Sequence, residues 1–265
     1  MKRALGLAAL TVLELPHHEQ VSVAAQAGYT HVGLRLVPVA GQPCEYPVDM
    51  AAIKARLADT GVRVLDVEVF RLTGETTVAD FEPAIAAAAE LGARHLLVHG
   101  ADANETRLAE TFGRLCDLAA RYRLVANLEP MPWVDVSSVA KALRVLHGAR
   151  RPNSGLLVDA IHFYRAGQRV EDLTSVPREF LHYAQFCDAR RERPADMQEL
   201  IRQARADRLM PGEGGLDLAR LVRALPAELP LSLETPYAKP MPALERARRA
   251  REATLRLLER CALPS

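Results

Sequence analysis

Cysteine is sparse and scattered. Cys44, Cys116, Cys187 and Cys261 are the only four in 265 residues, and no two form a C-x-x-C pair. A secreted domain stapled by disulfides is usually shorter and far denser in cysteine, so these thiols read as reduced and mostly buried. An excess of charge is missing too. Against 34 Lys and Arg stand 33 Asp and Glu, which leaves +1 and no net field to attract nucleic acid or an anionic membrane. No stretch approaches the roughly twenty apolar residues that cross a bilayer. The N-terminus, Met1-Lys2-Arg3 followed by ALGLAALTVLEL, has the outline of a signal peptide. Its apolar run is short, however, and Glu14 closes it where a small-residue cleavage site should begin. A cytoplasmic protein is expected. No G-x-G-x-x-G follows the first apolar run, which weighs against a doubly wound nucleotide-binding sheet. No linker-like or low-complexity tract marks a second domain, so residues 1–265 are expected to form one.

What is present is alternation. Apolar residues make up 49% and charged residues 25%, a globular composition able to bury roughly 70–75% of the extended chain's surface. Short β-rich runs are expected to be strands at Leu5–Thr11, His31–Leu36, Arg63–Phe70, His95–His99 and Leu124–Glu129. Three more are Ser154–Asp159, His182–Cys187 and Pro230–Glu234. Helical spacing marks Glu19–Ala27, Met50–Thr60, Ala79–Leu91, Thr106–Arg121, Val139–His147 and Ala243–Cys261. Gly28, Gly61 and Gly92 follow helical runs, where a left-handed glycine ends a helix. Nearly continuous apolar strands, eight in number and alternating with helical runs, predict a single (β/α)₈ barrel.

Such a barrel carries its active site at the C-terminal ends of the strands. Four late strands end alike: LVANLEP at Glu129, GLLVDAIH at Asp159, HYAQFCD at Gln185 and then Asp188, and LPLSLET at Glu234. Their separation in sequence fits no linear zinc motif, but neighbouring staves can bring them into one sphere. Three carboxylates and a carboxamide oxygen suit a hard divalent cation; without one, clustered carboxylates repel and raise each other's pKa. The alternative is that each carboxylate caps the next helix or pairs with an arginine.

With LEP at 128–130, VDAIH at 158–162, QFCD at 185–188, PGEGGLDL at 211–218 and SLET at 232–235, the chain resembles the xylose-isomerase-like barrels. That superfamily holds sugar isomerases and epimerases, hydroxypyruvate isomerase, related dehydratases and endonuclease IV. The resemblance implies one divalent ion, Mg²⁺ or Mn²⁺ with Co²⁺ or Zn²⁺ as alternatives, held by Glu129, Asp159, Gln185 and Glu234. It implies Glu129 and Glu234 as catalytic base and acid, and His162 and Arg191, with Arg190 a close competitor, as substrate-binding residues. The implied activity is isomerisation or epimerisation of a small polyhydroxylated carbonyl compound by proton removal beside the carbonyl. The rival is dehydration of the 3-dehydroshikimate or inosose type, and a third reading is a carbohydrate-binding barrel without catalysis. Gln185 stands where many epimerases have histidine and does not separate isomerase from lyase. Endonuclease activity is disfavoured, because strand three offers Glu68 and the loop after strand seven lacks Asp-x-His.

Glu68, Arg71 and His99 could reach substrate from the far side of the mouth, or serve as core and capping groups. Trp133 could wall the pocket or simply pack. PGEGG at 211–215 lacks the GK[ST] of a phosphate loop and reads as a tight turn, with Glu213 near the pocket. The run RRERPADMQELIRQARADR reads as a solvated helix; a lid or a homo-oligomer contact is its other reading.

Overall fold

The computed structural model describes residues 3–39 and 46–262; Cys44 lies outside them. One parallel sheet carries the fold. Its strands are β1 (Leu5–Leu7), β2 (His31–Arg35), β3 (Arg63–Leu72), β4 (His95–Gly100), β5 (Val125–Glu129), β6 (Ser154–Leu156), β7 (Val158–Asp159), β8 (Ala184–Phe186) and β9 (Leu231–Leu233). They run in the order β6-β5-β4-β3-β2-β1-β9-β8-β7. β6 pairs with β5 and β7 with β8, and only Leu157 separates them. Its N–H donates to the Leu128 carbonyl at 2.9 Å. Residues 154–159 are thus one stave with two neighbours, and eight staves form a nearly closed barrel, as expected.

The helices are α1 (His17–Gln26), α2 (Met50–Thr60), α3 (Glu82–Glu90), α4 (Glu105–Arg121), α5 (Val139–Ala149), α6 (Ala160–Arg165), α7 (Met197–Ala206), α8 (Leu218–Ala224) and α9 (Ala243–Ala262). None among the described residues is long and apolar enough to cross a membrane. α4 buries Leu108, Phe112, Leu115, Cys116 and Ala119, steps of three and four that keep one stripe against the sheet. Asn104 caps its start by accepting from the Arg107 N–H at 3.0 Å. Gly28, Gly61 and Gly92 all have positive φ, as helix-ending glycines should. Cys116, Cys187 and Cys261 are free thiols.

Two elements depart from expectation. β1 stops at Leu7 because Thr11 turns inward, donating from its hydroxyl to the Leu233 carbonyl and accepting from the Thr235 N–H, both at 2.8 Å. The run expected as one helix over Ala79–Leu91 splits into a 3₁₀ turn at Val78–Phe81 and α3. Pro83 sits in the first turn of α3, where its missing N–H costs nothing.

Side chains alternate across every stave. Outward residues such as Val32, Leu34, Leu96, Val98, Ala126 and Leu128 join the main core under the helices, while Leu97, Leu157 and Tyr183 fill the barrel itself. Above that inner layer, the same inward series reaches the mouth at the residues that end the strands.

The loop after β8 is tied down by Asp188. Its carboxylate accepts from the N–H groups of Ala189, Gly212, Gly214 and Leu216 at 2.8–3.1 Å. A Cβ on Gly214 would lie 2.4 Å from the Ala189 carbonyl oxygen, so only glycine fits there. We expect Asp188→Asn, which keeps the shape but replaces one acceptor oxygen by a donor, to cost about 2–3 kcal/mol. A urea titration followed by circular dichroism measures it.

Candidate functional site

The strand ends meet in a cleft whose walls include Arg35, Glu68, His99, Glu129, His162, Arg208 and Glu234. β5 supplies Glu129 and β4, directly beside it, supplies His99; the two residues are register partners. His99 Nε2 lies 2.7 Å from Glu129 Oε2. Burial pushes the His99 imidazole down to about 3, so the ring is neutral, and its Nε2 shares one hydrogen bond with the Glu129 carboxyl. On the other side Arg35 donates from Nε and Nη2 to Glu68 Oε1 at 2.9 and 2.6 Å.

Asp159 ends β7 and opens α6. Its Oδ1 accepts from the His162 N–H at 3.1 Å, capping the helix, while Oδ2 accepts from Arg208 Nη1 at 2.7 Å. Arg208 Nη2 reaches Glu234 Oε2 at 2.6 Å, and Gln185 Nε2 donates to Glu234 Oε1 at 3.2 Å. His162 Nε2 stands 3.5 Å from Arg208 Nη2. A guanidinium can only donate, so that nitrogen is the acceptor. Trp133 packs edge-on to the His162 ring with centroids 4.9 Å apart.

Charge is the notable feature. Glu68, Glu129, Asp159 and Glu234 are buried at the barrel mouth, with Asp66 buried deeper beside Tyr183, against two buried guanidiniums, Arg35 and Arg208. Burial raises Glu129 well above the usual carboxylate range, with Asp159 adding repulsion. Burial also pushes Glu234 up to about 8, although Arg208 opposes it. Asp66 is raised by burial and by Glu68. For Asp159 burial works the same way, but Arg208 and His162 outweigh it and hold the carboxyl below its ordinary value.

Three observations fit a divalent cation. Glu129 Oε1 and Gln185 Oε1 are buried without a hydrogen-bond partner, a costly state for polar atoms. Ligand atoms of Glu129, Asp159 and His162 all lie within 4.8 Å of one another. The surplus of carboxylates would be offset by two positive charges. Glu129, Asp159, Gln185 and Glu234, with His162, could hold such an ion. Arg208 is its competitor for Asp159 and Glu234.

Of the residues singled out from sequence, Glu129, Asp159, Gln185, Glu234, His162, His99 and Trp133 come together here. Arg191 does not. The chain leaves the barrel after Asp188, and Arg191 is exposed and outside the cleft. Arg190 pairs with Asp207. Glu213, expected near the pocket, points the other way and pairs with Arg249 on α9. The cationic groups at the cleft are instead Arg35, Arg71, Arg205 and Arg208. Arg208 was hidden in a run read as solvated. No local sequence pattern marks it: Arg208 stands just before Leu209, which pairs with Asp188 through two backbone hydrogen bonds of 2.8 Å. That bridge returns the end of α7 to the exit of β8, so Ala204, Arg205 and Arg208 line part of the mouth and the run is not wholly solvated.

A family model described as xylose isomerase-like TIM barrel matches residues 21–260. The chain belongs to this family. Solved barrels agree in fold. A xylose isomerase-like TIM barrel/4-hydroxyphenylpyruvate dioxygenase fusion protein is 20% identical with a TM-score of 0.85, over 98% of this chain and 43% of that one. This chain therefore spans less than half of that protein. The IOLI protein, solved with a zinc atom, is 18% identical with a TM-score of 0.80, covering 97% of this chain and 98% of that one. A D-allulose 3-epimerase from Methylomonas sp., in complex with D-allulose, is 16% identical with a TM-score of 0.73, covering 96% and 97%. Among curated proteins no sequence match is found.

Arg208 generates a direct test. In the presence of a chelator, Arg208→Leu should lower stability by about 3 kcal/mol, because it strands two buried carboxylates. Excess Mn²⁺ should restore much of that loss. Thermal melts with and without the metal measure both; equal melting temperatures for wild type and variant in chelator would contradict the buried network.

Proposed function

We propose that this barrel is a divalent-metal-dependent isomerase or epimerase of a small sugar or keto acid. The observation that carries this reading is a pair of buried carboxyls, Glu129 and Glu234, lining one cleft and both raised above the ordinary carboxylate range, Glu234 to about 8. Groups tuned in that direction can exchange protons with carbon acids near neutral pH. In this reading Glu129, Asp159, Gln185 and Glu234 hold the ion, and His162 either joins them or binds a substrate hydroxyl. When bound, a divalent ion supplies polarisation of the substrate carbonyl.

The chain's own groups then divide the work. Glu129, oriented by the His99 hydrogen bond, takes the proton from the carbon beside the carbonyl. Glu234, carrying a proton at the start of the cycle, returns it to the neighbouring atom or the opposite face. Trp133 and Met131 line the cleft and keep bulk water from the carbanion. The raised Glu234 also favours a second reading: an acid poised in this way can protonate a departing hydroxyl, and the reaction is then dehydration.

Incubation of the metal-loaded protein with candidate ketoses and keto acids in D₂O tests the proposal. Deuterium should enter beside the carbonyl with carbon skeleton and oxygen count unchanged, while dehydration would show as loss of water and new ultraviolet absorbance. Glu129→Gln and Glu234→Gln should each lower exchange by at least about 10²-fold with native far-ultraviolet circular dichroism. Full exchange in either variant would contradict the assignment.

A further inference from the structure

Two arginines of the cleft are left over by the proton-transfer chemistry. Arg35 and Arg208 are spoken for by Glu68, Asp159 and Glu234. Arg71, near the end of β3, and Arg205, on α7 across the mouth, line the same cleft, and neither side chain has a hydrogen-bond or ion-pair partner among the described residues. Both are solvent-accessible, and their charges converge on His99. The cleft is thus polarised: carboxylates at its floor, where a cation fits, and two uncommitted guanidiniums at its rim. Neutral sugar hydroxyls do not call for such a rim. An anionic group does, since a guanidinium fork matches a carboxylate bidentately.

We propose that Arg71 and Arg205 clamp a carboxylate of the substrate, which makes the natural substrate a polyhydroxylated keto acid and not a neutral sugar. The proposal rests on the reading of the site as a metal-dependent proton-transfer centre. A phosphate is the other anion arginine binds well. Phosphate sites generally add a nest of backbone N–H groups, and the glycine-rich loop that could provide one spends its Gly212 and Gly214 N–H groups on Asp188. The carboxylate is therefore the better fit. It also gives α7 a task, because Arg205 reaches the rim from that helix.

Unreactive polyols that share one carbon chain provide the test: sorbitol, gluconate and sorbitol 6-phosphate, titrated calorimetrically into Mn²⁺-loaded protein. Gluconate should bind at least tenfold tighter than sorbitol. The Arg71→Gln/Arg205→Gln double variant should erase that advantage, while Arg71→Lys/Arg205→Lys keeps part of it. A gluconate advantage that survives in the glutamine variant, or no advantage at all, overturns the proposal. Sorbitol 6-phosphate gaining the arginine-dependent advantage in place of gluconate overturns it in favour of a phosphate clamp. Because the readout is binding, it stands apart from turnover: arginine-dependent gluconate binding in a protein that never exchanges deuterium would leave the clamp in place and remove the proton-transfer reading.

Discussion

The mouth of this barrel is governed by a surplus of buried negative charge. Four carboxyls at the mouth face two guanidiniums, with Asp66 buried below them, and Arg208 alone bridges Asp159 and Glu234. Taking carboxylates out of water is expensive unless something of opposite charge takes the place of the solvent. One arginine with two carboxylates leaves Glu129 and Glu234 pushed towards their protonated forms. The same imbalance would be relieved by a divalent ion, and in the proposed reaction it is what raises the two carboxyls that exchange protons. In the proposed function, metal affinity and proton transfer share this one physical origin.

That origin lies in the alternation of the strands. Each stave sends every second side chain inward, and the inner layer of Leu97, Leu157 and Tyr183 seals the barrel beneath the polar residues. Glu129, Asp159 and Glu234 are rigid because their backbones belong to paired strands or the residue after one, and precise sites favour such elements over loops. The insertion after β8 adds what the staves lack. Asp188 anchors it through four backbone N–H groups, and α7 then carries Ala204, Arg205 and Arg208 over the cleft.

Much of this was legible from the sequence because it depends on local pattern. The eight apolar runs, the glycines that end helices and the carboxylates at strand exits are all short-range signals, and each stands where the runs suggested. Arg208 and Arg205 were not legible, since a charged helix looks solvated unless its neighbours are known. Only the bridge between Asp188 and Leu209 brings that helix back to the barrel. For the same reason Arg191, adjacent in sequence to β8, was a natural guess yet lies outside the cleft, and Glu213 turned towards α9. Sequence proximity to a strand end predicts the pocket well only until the chain enters a long insertion.

The central claim is that the carboxylates at the strand ends hold a divalent cation and that Arg208 yields to it. A crystal structure of the protein grown with Mn²⁺, with anomalous scattering recorded at the manganese edge, tests this most directly. The account predicts one strong anomalous peak about 2.1 Å from oxygens of Glu129, Asp159, Gln185 and Glu234, with the Arg208 guanidinium withdrawn from Asp159 and Glu234. A structure in which Arg208 still bridges those two carboxylates and no manganese lies among them would contradict it.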